Sequence, residues 1–260
     1  MMTEQVSLMT QVASIVQHRQ FYWWLGHIIV VCNGMVYFSS ILSLNTNPAY
    51  YNRAYLGALL SHAVVIYNSV MAKEATLLAN ILSDENVHYF VIAFYWYSYQ
   101  PIAVTLVPFF IFSIFHTLSY FRSTILPIIP ANAQTEKLNT KIKHFTTTHH
   151  TTAMQYVAYI EVVVILGRII IGTLLFRTSV LALIIFIHFL RLRYYLSSYT
   201  KDAILNTTVH LDKWLLLPDQ ASSPSASLDS PKNLTVVSNI YLSVKRLVMR
   251  YAGVAPIASK

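Results

Sequence analysis

Charged side chains are scarce in this 260-residue chain, since Asp, Glu, Lys and Arg make up 11% of it, against about 25% in ordinary soluble proteins. Apolar residues account for 55%. The segment from Asn86 to Phe121 contains no charged residue, which a bilayer core requires and a soluble domain seldom maintains over such a length. The composition therefore predicts an all-α, polytopic membrane protein.

Cysteine and glycine are also rare. The one cysteine, Cys32, lies inside an apolar segment, which argues against a disulfide framework and a thiolate metal site. The six glycines form no phosphate-binding loop, and the sequence shows neither a nucleophile elbow nor a pair of catalytic carboxylates. We therefore expect no enzymatic activity, no cofactor and no catalytic residue.

The formal net charge of +8 raises the question of a nucleic-acid partner. However, most Lys and Arg residues flank apolar segments, as membrane topology and anionic headgroups require, so we expect lipid rather than nucleic acid. The first twenty residues are polar, and the first apolar run is too long for a signal peptide. The first span is therefore expected to act as its own insertion signal.

The pattern of apolar runs predicts three helical hairpins, with about six apolar helices, some of them short. The hairpins cover 21–71, 86–121 and 156–196, within a membrane domain of residues 21–200. Outside them we predict a cytosolic amphipathic lead (1–20), a short helix (73–82), a polar loop (123–155) with at most a short helix at 135–145, an amphipathic helix (201–217), a disordered linker (218–233) and a basic amphipathic helix with its tail (234–260). Ser83 is the predicted N-cap of the helix that enters the second hairpin.

The second hairpin depends on a break at Gln100-Pro101. As one straight helix, residues 86–121 would be about 54 Å long, against a hydrocarbon core of about 30 Å. Pro101 removes an amide donor and restrains the residue before it. The sequence thus predicts a short aromatic helix up to Tyr99, a break, and a full-length helix from Ile102.

Orientation follows from the basic residues. If each hairpin enters and leaves on one side, all but three of the 18 Lys and Arg share a compartment, the exceptions being Arg53, Arg168 and Arg177. By the positive-inside tendency this side, with both termini, is cytosolic. The sequons at Asn206 and Asn233 are therefore expected to remain unmodified.

Two ionisable residues, Glu161 and Arg168, fall inside a predicted span. Seven residues apart in a regular helix, they would lie on one face with about 10 Å of axial rise between them. One interpretation is a transport or proton-relay site. The other, which we favour, is that each pairs with a polar group on a neighbouring helix, or that Arg168 extends to the interface.

The ten histidines suggest a metal site, because His144, His149 and His150 superficially resemble the histidine boxes of membrane di-iron desaturases. Such sites require about eight clustered imidazole and carboxylate ligands. Here the remaining membrane histidines are isolated in separate spans, where hydrogen bonding to a neighbouring helix is the ordinary role. We predict no metal site.

The last amphipathic helix combines an apolar stripe with basic flanks, which favours binding to an anionic membrane surface. Packing against the protein's own spans, or against a partner, is the alternative. The predicted surface-binding residues are Ile240, Tyr241, Val244, Lys245, Arg246, Leu247, Val248, Arg250 and Tyr251.

Several short motifs, taken in order, resemble the transmembrane protein 33 family, including its fungal pore-membrane and reticulon-associated members. They are Tyr51-x-Arg53-Ala54, Asp84 with His88-Tyr89, Ser98-Tyr99-x-Pro101, Phe112-Ser113-x-x-His116 with Tyr120, and Arg191-x-Arg193-Tyr194. The resemblance covers roughly residues 20–200. It implies residence in the endoplasmic reticulum and nuclear envelope, cooperation with reticulon-type curvature proteins and nuclear pore components, and no catalytic residues.

Three hypotheses for function follow. The first is a non-enzymatic protein that shapes curved membrane, because hairpins with short luminal turns occupy more area in the cytosolic leaflet. The second is an adaptor that recruits cytosolic or pore partners through its basic tail and polar loop. The third is a transporter or lipid enzyme using Glu161, Arg168 and the membrane histidines. The sequence leaves homo-oligomerisation open.

Overall fold

The computed structural model describes residues 8–71, 84–215, 238–239, 241–243 and 245–246. The main α-helices are α1 Leu8–Gln17, α2 Arg19–Leu42, α3 Pro48–Met71, α4 Glu85–Ser98, α5 Leu106–Tyr120, α6 Ala133–Tyr159, α7 Leu166–Leu174, α8 Val180–Leu196 and α9 Ser198–Leu215. Two π-helical segments (Phe121–Ile125 and Ile160–Ile165) and two 3₁₀ turns (Ala103–Thr105 and Leu126–Ile128) connect or extend them. Within these residues there is no strand.

Four continuous helices in the described chain have the length and composition needed to cross a bilayer. They are α2, α3, the unit Ala103–Ile128 that contains α5, and the 42-residue unit Ala133–Leu174 that contains α6 and α7. A fifth crossing requires α8 and α9 to be counted together, although they are bent by 114° at Ser197. The prediction of an all-α polytopic membrane protein is confirmed.

The first hairpin begins and ends close to its predicted bounds. Helix α3 starts at Pro48, and the Asn47 side chain accepts a hydrogen bond from the Ala49 amide at 3.0 Å, as expected of an N-cap before proline. Helix α4 differs from prediction, because its N-cap is Asp84, which accepts from the Asn86 amide at 2.8 Å. An aspartate at this position both caps the helix and complements its dipole.

The chain reverses direction between α4 and α5. Helix α4 ends at Ser98, and helical structure resumes at Ala103, so Gln100 and Pro101 lie in the interruption. The Tyr89 ring lies 5.7 Å from the ring of Phe109 and 5.4 Å from that of Phe112. Residues on either side of Pro101 therefore meet, as they do in a hairpin. The second arm is longer than predicted and continues through Arg122 to Ile128.

A cluster of hydroxyl groups supports the start of this second arm. The Oγ1 of Thr105 lies 2.9 Å from the hydroxyls of both Tyr51 and Tyr55, and it donates to the carbonyl of Ile102 at 2.8 Å. All three of these hydroxyl-bearing residues are fully buried. Paired in this way, the groups avoid the cost of an unsatisfied polar atom in an apolar interior, and they attach the turn after Pro101 to α3.

The prediction of a polar loop at 123–155 is wrong. Residues 133–155 instead form most of α6, which joins a π segment and α7 in one helix and so extends the third hairpin well before residue 156. Asn132 and Thr135 form a capping box, each side chain accepting from the other residue's amide at 2.8 Å. Threonine and histidine have modest helix propensity, but the cap and the apolar continuation outweigh it.

Some predictions fall outside the described residues. They are the short helix at 73–82, the linker at 218–233, and most of the C-terminal helix, including Ile240, Val244, Leu247, Val248, Arg250 and Tyr251. The amphipathic helix predicted at 201–217 is α9, which starts three residues earlier, at Ser198.

Contacts between helices show which helix ends lie together. The pairs are Arg19 Nη1 with Asn68 Oδ1 at 3.3 Å, Trp24 Nε1 with the Thr117 carbonyl at 3.2 Å, and Arg193 Nη1 with Glu85 Oε1 at 2.8 Å. The start of α2 therefore lies beside the ends of α3 and α5, and the end of α8 beside the start of α4. The interruption at 99–102 and the turn at 175–179 meet at the opposite end, where the Tyr99 hydroxyl accepts from the Ser179 amide at 3.0 Å.

Candidate functional site: a buried ion network between three helices

Three charged residues from distant parts of the chain meet in the interior. Arg193, near the end of α8, contacts Glu85 at the start of α4 and faces Glu161 in the second π segment. Its Nη1 lies 2.8 Å from Glu85 Oε1, and its Nε lies 3.8 Å from Glu161 Oε2. Side-chain exposure is 6% for Arg193, 2% for Glu161 and 43% for Glu85. The first two are buried charges that need each other, whereas Glu85 reaches the network from a more open position.

Tyr89 completes the network from α4. Its hydroxyl donates to Glu161 Oε1 at 2.9 Å, and its ring lies 5.0 Å below the Arg193 guanidinium. A guanidinium over an aromatic face gains a cation–π attraction, which is stronger away from water. The four side chains thus join α4, the π segment and α8 at one level.

The π segment determines where Glu161 points. An α-helix would bring Arg168 back to the face of Glu161, as predicted, but the wider π turns at 160–165 shift the register between them. As a result Glu161 is 1% exposed, whereas Arg168 is exposed. The expectation that the two share a face is wrong. The favoured interpretation for Glu161, a polar partner on a neighbouring helix, agrees with the contacts to Tyr89 and Arg193.

Arg193 and Glu85 were missed as site residues from the sequence. In the sequence Arg193 stands only in the Arg191-x-Arg193-Tyr194 motif, and Glu85 belongs to none of the motifs. The helical spacing could have identified Arg193 as a buried residue. Phe186, Phe189 and Arg193 follow one another at intervals of three and four, and all three lie on the buried face of α8. Such a position requires an arginine to find a buried acidic partner.

The interior beside the network has little room. A cavity of about 10 Å³ is lined by Glu161, Tyr89, Trp96 and Phe186, among other apolar side chains. Ligand sites generally occupy about 300–1,000 Å³. The contacts around Glu161 therefore suit holding helices together better than carrying a substrate.

The histidines lie in two environments. His27 is buried, with Nδ1 3.0 Å from Ser113 Oγ and its ring 4.7 Å from that of His116. His144, His149 and His150 lie on exposed positions of α6. Among the residues that the structure describes, no group of three or more His, Cys, Asp or Glu is arranged to hold a metal ion.

The described part of the predicted surface-binding helix contacts α9. Tyr241 donates to Asp212 Oδ1 at 2.7 Å, and Lys245 Nζ lies 2.7 and 2.6 Å from the two Asp212 oxygens. Burial and the hydrogen bond to Asp212 raise the pKa of Tyr241. Arg246 is exposed. Tyr241 and Lys245 therefore pack against the protein's own helix α9, which is the alternative to binding the membrane surface. Arg246 instead faces outward.

Apolar helices of spanning length, joined inside by hydrogen bonds and ion pairs between polar and charged groups, define an integral membrane protein with a polytopic helical bundle. The family model described as Transmembrane protein 33/Nucleoporin POM33 matches residues 2–227, and the chain belongs to this family.

The chain is similar to three fungal relatives over most of their length. Tetra-spanning protein 1 of Schizosaccharomyces pombe is 27% identical over 97% of this chain and 90% of its own length. Pore membrane protein of 33 kDa of Saccharomyces cerevisiae is 26% identical, over 79% of this chain and 78% of its own length. Nucleoporin POM33 of Chaetomium thermophilum is 25% identical, over 85% of each. No solved structure matches.

Proposed function

We propose that this chain is a non-enzymatic protein of the endoplasmic reticulum membrane and nuclear envelope. In this proposal both termini are cytosolic, and the protein shapes or stabilises curved membrane and helps organise tubules and nuclear pores. Reticulon-type curvature proteins and nuclear pore components are its proposed partners. Family membership supports the location, since relatives carry the names "Pore membrane protein of 33 kDa" and "Pore and endoplasmic reticulum protein of 33 kDa".

The observation that carries the shaping role is an uneven thickness of the bundle. Helices α2 and α3 have 24 residues each, and the unit Ala103–Ile128 has 26, so their rise is about 36–39 Å. Helix α4 has 14 residues and α8 has 17, which gives about 21–26 Å. We call α4 and α8, together with the last part (161–174) of the long Ala133–Leu174 unit, the short-helix half. The ion network closes one of its ends and the Tyr99–Ser179 contact the other.

The charged end of the short-helix half lies deeper in the bundle, along the helix axes, than the neighbouring ends of the long helices. His62 Nδ1 is 3.3 Å from Asn86 Oδ1, whereas Arg19 contacts Asn68, six positions further along α3. Six residues of helix correspond to about 9 Å. A bilayer that meets the partly exposed Glu85 at this depth thins or admits water locally, and thinning costs fractions of a kcal/mol per Å of mismatch.

Surface helices add to the asymmetry. Helix α1 leaves Met9, Val12 and Val16 exposed, at spacings of three and four that place them along one side. Helix α9 leaves Leu211 and Trp214 exposed, Trp214 at 90%. Both helices adjoin helix ends on the same side of the bundle, the start of α2 and the end of α8. Apolar groups inserted at one interface enlarge that leaflet, which favours positive curvature.

Reconstitution at different bilayer thicknesses tests the proposal. The purified full chain is placed in liposomes of phosphatidylcholines with short, intermediate and long monounsaturated chains, and vesicle shape is scored by cryo-electron microscopy. Long helices in a thin bilayer relieve mismatch by tilting, whereas short helices in a thick bilayer must deform it. We therefore expect tubules to become more frequent as chain length increases. Spherical vesicles at every thickness would contradict the shaping role.

A second candidate, an adaptor, is favoured by the length of the Ala133–Leu174 unit. Its 42 residues rise about 63 Å, twice the hydrocarbon thickness. The first part of α6 is polar, and its Lys137, Lys141 and Lys143 are exposed. This part would project from the bilayer and present a basic surface to a partner. An adaptor of this kind would leave liposomes spherical and would lose its partner when the three lysines are replaced by glutamate.

A further inference from the structure

An apolar groove runs between α2 and α3 near the end where α2 begins. Its volume is about 330 Å³, within the range typical of ligand sites. The residues lining it are Arg19, Tyr22, Leu60, Ala63, Val64 and Tyr67. The α3 residues among them recur at spacings of three and four, so they form one side of the helix over about 10 Å of rise. Neither the ion network nor the surface helices use this groove.

A cation is held in a defined position at the mouth of the groove. Arg19 is exposed, and its guanidinium carbon lies 5.0 Å above the centre of the Tyr67 ring. Its Nη1 donates to Asn68 Oδ1 at 3.3 Å. These contacts use one face of the guanidinium and one of its five N–H groups, and the remaining donors suit an anionic oxygen.

The depth of Arg19 favours a lipid as the occupant. Residues 21–24 are Phe, Tyr, Trp and Trp, and such aromatic clusters mark the headgroup level of a membrane. Arg19 lies just outside that level, where the phosphates of glycerophospholipids are found. The groove leads inward from it, past Tyr22 and Tyr67, which are 46% and 49% exposed, to aliphatic side chains.

We propose that this groove binds one glycerophospholipid. Its phosphate contacts the Arg19 guanidinium, and one acyl chain lies against Leu60, Ala63 and Val64, between the rings of Tyr22 and Tyr67. The charge of the lipid and the position of the cation are complementary, and the apolar walls match the acyl chain. The groove thereby distinguishes lipids that carry a phosphate from lipids with the same chains that do not.

Photo-crosslinking tests this site in the full chain. Nanodiscs of phosphatidylcholine contain a trace of one of two probes, a phosphatidylcholine or a diacylglycerol with the same diazirine-bearing acyl chain. After irradiation, labelled peptides are identified by mass spectrometry. We expect the phospholipid probe to label the α3 peptide that contains Ala63 at least fivefold more than the diacylglycerol probe does.

Three variants sharpen the test. Arg19→Gln should lower phospholipid labelling of that peptide to the diacylglycerol level, and Ala63→Trp should lower labelling by both probes by filling the groove. Arg53→Gln is the matched control, since Arg53 lies 5.6 Å from the Tyr50 ring at the other end of α3 and does not line the groove. It should leave labelling unchanged. Arg19 is exposed, so Arg19→Gln remains informative if Ala63→Trp fails to fold.

Two outcomes would overturn the proposal. One is equal labelling by the two probes, or unchanged labelling in Arg19→Gln, which would indicate ordinary contact with bulk lipid. The other is a near-complete disulfide between two copies of Ala63→Cys made in a Cys32→Ser background, which would show that a second copy occupies the groove.

Discussion

Arg193 shows how a single position can connect distant helices. It follows Phe186 and Phe189 on the buried face of α8, and this placement removes its charge from water. Glu161 is just as buried, with Oε2 3.8 Å from the Arg193 Nε. Each residue makes the burial of the other tolerable, because an unpaired charge in such a place costs several kcal/mol.

Replacing one residue of the pair should therefore destabilise the protein more than replacing both. We expect Arg193→Met to lower the free energy of unfolding by about 3–5 kcal/mol, because Glu161 is left as an uncompensated buried charge. The double variant Arg193→Met/Glu161→Leu should recover most of that loss, since Glu85 is open enough to be solvated. Unfolding by SDS titration in mixed micelles measures each value.

Arg168→Met is the control variant, because it removes an arginine from the membrane domain without disturbing the buried pair. Arg168 is exposed in the same span as Glu161, so its replacement should change stability by no more than about 0.5 kcal/mol. A double variant as unstable as Arg193→Met alone would show that the network does not act as a charge pair.

At the level of helices, apolar periodicity predicted more than polar composition did. The apolar runs located α2, α3 and α8 closely, and Pro101 located the interruption. The long helix through 133–155 was not predicted, because its threonines and histidines carry no helical period. Its formation depends on the Asn132–Thr135 capping box and on continuity with the apolar segment after it.

The ion network could be predicted only in part, for a different reason. The burial of Glu161 followed from its apolar surroundings, but the register of Arg168 depended on a π segment that no residue type specifies. Glu85 and Arg193 are 108 positions apart, and the sequence alone does not show that α4 and α8 are neighbours. Partners across such distances depend on tertiary packing.

The packing of α2 against α3 depends on two small residues. A Cβ at Gly26 would lie 2.6 Å from the carbonyl oxygen of Gly57. A Cβ at Gly57 would likewise lie 2.6 Å from the carbonyl oxygen of Gly26. Close approach of helix backbones through glycine is a recurring way for membrane helices to associate. We expect Gly26→Ala to lower the free energy of unfolding by about 1–3 kcal/mol through overpacking.

Gly167 provides the opposite case. A Cβ there would meet no atom within 4 Å, so Gly167→Ala should stabilise the helix by about 0.5–1 kcal/mol through its better helix propensity. The same SDS titration compares the two variants. Equal effects of the two substitutions would argue that the α2–α3 contact is looser than the structure shows.

For the whole molecule, the contacts between helix ends define two sides. The starts of α2 and α4 lie with the ends of α3, α5 and α8, whereas the interruption at 99–102 and the turn at 175–179 lie together at the other side. The charged end of the short-helix half therefore faces the same compartment as both surface helices. The basic residues predict that this compartment is the cytosol.

Cysteine labelling on sealed microsomes tests this arrangement. In a Cys32→Ser background, an impermeant maleimide should label Ala133→Cys and Lys213→Cys without detergent, because both positions are exposed at the charged side. Asn45→Cys and Leu175→Cys, in the turns at the other side, should react only after permeabilisation. If all four positions exchange compartments, the charge-based orientation is wrong but the geometry stands. If Ala133→Cys and Lys213→Cys lie in different compartments, the helix-end contacts cannot all form, and the uneven bundle on which the shaping role depends is contradicted.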